Sequence, residues 1–312
     1  MESRTARLKR IKILALVLTA LSLVILLVSA YIRLNGAGLG CSPWPYCYGQ
    51  LLVGGPYPHS DMARILHRVV ASSALLLGFA LAWQCQRPQP IQPPARYATV
   101  LLALMILLTF VGIWSADPHR AWAAFINILG GAGLVLLSWR TALAAGAQQT
   151  PSPHRRPAAV LHAGLGTLAL TMALGALIGA RYAATACPLL PTCGDVSWPA
   201  ATGWSALNPF TRVAVAVSLG DDGGVALHLL HRYCAVATLL LLGIGGLRAL
   251  AQPACRLSAA LLLALLLAQF ALGVLTLLSG LGLGLAIAHS VCAAALLAAG
   301  MQLLIRVKAG AA

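Results

Sequence analysis

Residues 225–248 read VALHLLHRYCAVATLLLLGIGGLR, an apolar run whose only formal charges are Arg232 and Arg248. Wound as a helix at about 1.5 Å per residue it reaches roughly 36 Å, enough to cross the hydrocarbon core of a bilayer. Residues 62–84, MARILHRVVASSALLLGFALAWQ, carry the same Leu-His-Arg triplet ahead of an equally apolar stretch. A histidine and an arginine are costly inside a membrane span, so two such runs sharing one triplet predict both the fold and a functional position within it.

The rest of the chain agrees. It is 60% hydrophobic and 9% charged, a balance foreign to a water-soluble globule of 312 residues. Eight spans are expected, at 11–33, 62–84, 96–115, 120–140, 157–180, 225–248, 257–279 and 284–306. The first has too long an apolar run for the core of a cleaved signal and no small-x-small site after it, so it is read as a retained helix. The expected class is therefore an all-α integral membrane protein: eight transmembrane helices as two pseudo-symmetric four-helix bundles. The organisation read from the sequence is 1–140 for the N-terminal half, 141–156 for a cytoplasmic linker and 157–312 for the C-terminal half.

The net charge of +15 has a topological explanation rather than a nucleic-acid one. Fourteen of the 21 basic residues fall on one side: Arg4, Arg7, Lys9, Arg10, Lys12, Arg87, Arg96, Arg140, Arg155, Arg156, Arg248, Arg256, Arg306 and Lys308. Five of the six acids, Asp61, Asp117, Asp195, Asp221 and Asp222, fall in or beside the opposite loops. Both termini are thus expected in the cytoplasm of a bacterial inner-membrane protein, with the bilayer as its partner and nucleic acid excluded.

Four of the eight cysteines form two C-x5-C pairs on the outer side, Cys41 with Cys47 and Cys187 with Cys193. In that compartment each pair can bridge or cycle. Cys85, Cys234, Cys255 and Cys292 lie in or near helices and read as small apolar side chains. The outer pairs also expose an internal repeat. Span 1 ends in Arg33 before Cys41 and Cys47, span 5 in Arg181 before Cys187 and Cys193; His67-Arg68 in span 2 answers His231-Arg232 in span 6. His289 follows His231 by 58 residues, and the position 60 residues after His67 is Asn127.

His67, His231 and His289 are each expected about 7 to 11 Å inward from the outer end of their helices. Two histidines at one level on neighbouring helices can supply both axial nitrogens of a haem iron, and His231 with His289 is the first such pair. Arg232, and in the first half Arg68, stand beside a histidine as cations for a carboxylate. Zinc would require further ligands not evident at this depth. His228, one turn outward of His231, is an alternative ligand or supporting partner. In the first half, His67 faces Asn127, so a haem there would be held by one histidine, or with an outer residue such as His59 or His119 reaching in. His154 and His162 lie on the inner side and read as incidental.

With these residues in view, the chain resembles the haem A synthase family of cytochrome oxidase assembly proteins. The likeness rests on YIRLNGAGLGCSPWPYCYGQ at 31–50, the two outer C-x5-C pairs, the two LHR triplets and His289, and covers nearly the whole chain. It implies that His231 and His289 ligate a haem b, while the N-terminal half receives haem O as substrate and oxidises one ring methyl, through an alcohol, to the formyl group of haem A. It also links Cys41 and Cys47 to catalysis or haem handling. The partners it implies are the haem O synthase and the cytochrome oxidase assembly machinery, with an oligomer compatible. The chain departs from the family pattern at two places: Arg64 stands where the family has a glutamate three residues before His67, and Asn127 where it has a histidine. A cation at 64 cannot do the proton chemistry of an acid. The second expectation is therefore a haem-binding assembly or electron-transfer protein that has lost the oxidising site. A carrier built from repeats is a third, disfavoured because mid-membrane helix breaks are not obvious.

Overall fold

A computed structural model describes residues 4–39, 41, 45–54, 61–146 and 158–309. Among the described residues eight long helices carry the fold: α1 Arg4–Gly36, α2 Asp61–Gln86, α3 Pro94–Trp114, α4 Ala121–Gly146, α5 Ala159–Ala180, α6 Asp222–Leu250, α7 Arg256–Leu278 and α8 Leu283–Ala309. All eight are long and apolar enough to cross a bilayer. Large apolar side chains point outward along them, Leu76 and Leu278 each 72% exposed. In water that exposure would be a liability; against lipid it is the expected surface.

Three of the helix ends that depart from the expected spans have an evident cause. The first helix begins at Arg4 because Arg, Lys and Leu all favour helix, and because Arg7 is buried, donating from Nε to the carbonyl of Gln84 (2.7 Å) and from a terminal nitrogen to that of Gln89 (2.9 Å). At its far end α4 continues through TALAAG to Gly146, so residues 141–146 are helix rather than linker. The remainder of that linker, with His154, Arg155 and Arg156, lies outside the described residues, as does His59. Asp221 caps α6, its carboxylate accepting from the Gly224 amide at 2.9 Å, which starts the helix at Asp222.

Each half has its own core. Ile11, Leu18, Leu81, Leu101, Met105 and Leu134 bring together α1 to α4, while Leu161, Leu168, Leu242, Leu262, Leu296 and Leu303 bring together α5 to α8. Within the second half α5 and α6 approach closely through small residues, Leu242 lying over Gly164 and Leu161 over Gly245. Between the halves, Leu26 of α1, Val135 of α4 and Ala294 of α8 form a third buried cluster, with Met172 of α5 against it.

The long segment between α5 and α6, on the side the charge pattern leads one to expect as outer, reaches across onto the first half. The Val213 amide donates to the His119 carbonyl (3.0 Å), and the Ala184 amide to the Tyr48 hydroxyl (3.4 Å). Tyr48 and Tyr182 lie with ring centroids 6.3 Å apart, and burial pushes the Tyr48 hydroxyl well above the usual tyrosine range. These ends of the two halves are thereby tied by hydrogen bonds from main-chain amides as well as by apolar burial.

Candidate functional site

In the second half α6 and α8 bring His231 and His289 together, ring centroids 6.4 Å apart with the planes 65° to each other. Two imidazoles that each place a nitrogen about 2 Å from one metal ion have centroids roughly 6 Å apart, so the spacing fits a shared iron without rearrangement of the helices. His231 lies nine residues after Asp222, deeper along its own helix than expected because α6 starts early, yet the ring contact puts it level with His289.

Each ring is held by the preceding helix. His231 Nδ1 is 2.9 Å from the Thr171 carbonyl of α5, which can only accept, so Nδ1 carries the proton and Nε2 keeps its lone pair free to ligate. One turn further along α5, Gly175 leaves the gap into which the ring fits: a Cβ there would sit 3.1 Å from His231 Cε1. A gap of the same kind recurs on α7. Gln269 approaches His289, its Nε2 3.2 Å from both ring nitrogens, and Gly273, again four residues on, would place a Cβ 3.1 Å from His289 Cε1. None of Thr171, Gly175, Gln269 and Gly273 was expected from the sequence. Gln269 offered the one usable signal, an amide in an otherwise apolar stretch of α7.

Arg232 projects toward the outer loop. Its terminal nitrogens donate to the carbonyls of Cys187 (2.7 Å), Leu189 (2.7 Å), Pro191 (3.2 Å) and Thr192 (3.2 Å), while its buried Nε has no hydrogen-bond partner among the described residues. The loop carrying the second cysteine pair is thus fastened to the residue next to His231. Trp198 stacks on Tyr233 at 6.1 Å, and the Tyr233 hydroxyl donates to the Ser197 carbonyl, extending this roof. The cysteines of each outer pair lie close, with Cα atoms 6.0 Å apart for Cys41 and Cys47 and 5.0 Å for Cys187 and Cys193. His228 is buried at 6% exposure and its Nε2 is 2.9 Å from the Ala183 carbonyl, a tie between α6 and the outer segment rather than part of the His231–His289 pair. Cys85 and Cys255 are buried, and Cys234 and Cys292 half-buried.

The first half is arranged differently. His67 is half-buried on α2, with Arg64 one turn outward and Arg68 exposed beside it. No other histidine makes a ring contact with it among the described residues. Asn127 lies on α4, and His119, before that helix, has its Nδ1 2.5 Å from the Val213 carbonyl. His162 Nδ1 is 2.8 Å from the carbonyl of Ala158, four residues earlier, near the inner end of α5.

Comparison with known proteins gives the following. The chain is 27% identical to the heme A synthase of Shewanella oneidensis over 301 residues, covering 88% of this chain and 90% of that relative. It is also 27% identical to the protoheme IX farnesyltransferase of two strains of Thermus thermophilus over 228 residues, 69% of this chain but only 34% of those relatives. The cytochrome oxidase assembly protein family matches residues 122–301, from the start of α4 through most of α8 and therefore across both His231 and His289. With more than half its length matched, this multi-pass membrane protein belongs to the cytochrome oxidase assembly protein family.

Proposed function

We propose that the chain acts in haem A synthesis for cytochrome oxidase as a haem A synthase-like oxidoreductase, with a resident haem b between α6 and α8 and haem O as the substrate of its first half. The observation that carries this reading is the His231–His289 pair at 6.4 Å, with one ring oriented by a main-chain carbonyl so that Nε2 is the free donor. A haem held by His231 and His289 would supply one-electron chemistry.

The residues of the second half fit that group. His231 and His289 provide two nitrogens at one level, and the apolar sides of α5 to α8 exclude water. The Nε–H of Arg232, without a hydrogen-bond partner among the described residues, is a donor that a propionate would satisfy. The close cysteine pairs are read as disulfides on the outer face, and the termini as cytoplasmic in a bacterial inner membrane.

In the first half, His67 offers one nitrogen for haem O, whose ring methyl is oxidised to a formyl group at the expense of oxygen and electrons from outside. Arg64 and Asn127 do not supply the acid and second nitrogen of the family pattern, so no proton step is assigned to them. They favour a second reading, a haem-binding assembly or electron-transfer protein without the oxidation. Expected neighbours are the haem O synthase and the oxidase assembly machinery. The partial match to farnesyltransferases supports the first of these.

The deciding experiment is extraction and chromatography of haems from membranes that express the protein together with a haem O synthase. Haem A, or its alcohol precursor, above the level of cells lacking this chain supports the oxidation. Haem b and haem O alone, with an intact low-spin spectrum, replace it with the second reading.

A further inference from the structure

The two histidines of the second half are held by unlike groups. His231 leans on a main-chain carbonyl, which no substitution at Thr171 removes. His289 leans on a side chain, that of Gln269, whose Nε2 lies 3.2 Å from both ring nitrogens while its Oε1 is buried without a hydrogen-bond partner among the described residues. A neutral imidazole has one N–H and one lone pair. An atom 3.2 Å from both ring nitrogens lies over the ring face, in line with neither the N–H nor the lone pair, and in that placement the amide oxygen is stranded. The two ends of a glutamine amide are set by the hydrogen-bond network rather than by its shape. Rotated so that Oε1 enters the ring plane beside Nδ1, the amide would accept from His289 Nδ1–H and leave the imidazole Nε2 free, reproducing on α7 what the Thr171 carbonyl does on α5.

We infer that Gln269 is the positioning residue of His289, its Oε1 accepting the Nδ1 proton when His289 ligates. The inference rests on the reading of His231 and His289 as haem ligands. Gly273 supports it independently: it stands four residues after Gln269, as Gly175 stands four after Thr171, so each α-helical cradle pairs an acceptor with a gap for the ring it orients.

A hydrogen bond to the outer nitrogen raises the basicity of a ligating histidine and so favours the ferric state. Gln269→Leu should therefore raise the midpoint potential of the low-spin haem. A tenfold loss of preference for ferric over ferrous iron corresponds to about 59 mV for one electron. Thr171→Val, at the equivalent place but with its carbonyl intact, should leave the potential where it is. The measurement is a spectroelectrochemical titration of the purified holoprotein. Should the leucine variant not fold, Gln269→Asn keeps an amide in the helix but withdraws it from the ring, and the same upward shift is expected. An unchanged potential in a variant that retains the haem overturns the assignment, as does an equal shift in Thr171→Val. His289→Ala separates the two levels of the argument. If it keeps the low-spin spectrum, the ligand reading itself fails; if it loses the spectrum while Gln269→Leu moves nothing, only Gln269 is misassigned.

Discussion

Replacing Gly175 by alanine should disable the proposed haem site without weakening the helix that carries it. The new Cβ meets His231 Cε1 at 3.1 Å and Nδ1 at 3.4 Å, whereas carbon atoms settle about 3.5–4.0 Å apart. The ring must retreat by roughly 0.4 Å or more, but its Nδ1 is bound to the Thr171 carbonyl at 2.9 Å on the same helix. Retreat stretches that bond to about 3.3 Å, beyond the usual range for N–H···O. Ligand constellations tolerate displacements of only about 0.5 Å, and disturbing the partner of a ligating histidine typically costs 10–100-fold in affinity. The expected result is a haem affinity lower by about tenfold or more, or roughly 1.4 kcal/mol and upward. Glycine to alanine in a helix interior meanwhile favours the helix by about 1 kcal/mol. Haem content and the low-spin band should fall while the thermal midpoint of the haem-free protein holds or rises. Gly243→Ala on α6, where nothing lies within 4 Å, is the matched control and should change neither. Full haem content with an unshifted band in Gly175→Ala would refute the cradle argument.

Three further outcomes follow from the same geometry. Arg232→Ala removes the donors held by four loop carbonyls, and hydrogen bonds from a charged group contribute about 1.5–3 kcal/mol each; limited proteolysis should begin within residues 187–193, and protection equal to wild type would discount the clamp. Asp117 is held below the usual carboxylate range by the hydrogen bond from Arg120, then by the His119 amide and the charge of Arg212, so its contribution is complete above the unfolded value of about 4 and is lost as pH falls through the lower folded value. Hydrogen exchange at 208–217 should therefore quicken only below about pH 4, by no more than a surface ion pair allows, about 1 kcal/mol, and Asp117→Asn should abolish that pH dependence. His67→Ala should eliminate haem A formation while leaving the low-spin haem of the second half in place; undiminished product would remove His67 from the reaction.

The eight spans were legible because a bilayer imposes a length and a composition on every helix that crosses it, and these survive without knowledge of any tertiary contact. Histidines in such spans stand out for the same reason: their cost advertises them. The partners of those histidines were not legible. Thr171 acts through its backbone, Gly175 and Gly273 through the absence of a side chain, and neither leaves a mark distinguishable from ordinary helix packing. The early start of α6 was written in the sequence, as Asp221 three residues before Gly224, but the apolar run drew attention past it. The docking of 208–217 onto His119 had no signal, since it joins main-chain groups 94 residues apart through a segment with no periodicity.

The uneven use of glycine bears on the division of labour between the halves. In the second half Gly175 and Gly273 make room for imidazoles, so both rings are fixed by their surroundings before any ligand arrives. In the first half Gly78 faces Met105, Gly130 faces Leu108, Gly131 faces Leu26 and Gly133 faces Leu104. Those glycines let helices approach one another and do nothing for His67. A pre-oriented pair suits a haem that stays, because the ordering cost is already met in the folded chain. A histidine with no such cradle among the described residues suits a haem that must enter, react and leave, since a site that held its substrate as tightly as its resident cofactor would not turn over. The contrast supports resident haem in the second half and substrate in the first. It also places the burden of Arg64 and Asn127 on the half whose ligation is least fixed, where haem extraction from the His67→Ala protein and from wild type gives the most direct comparison.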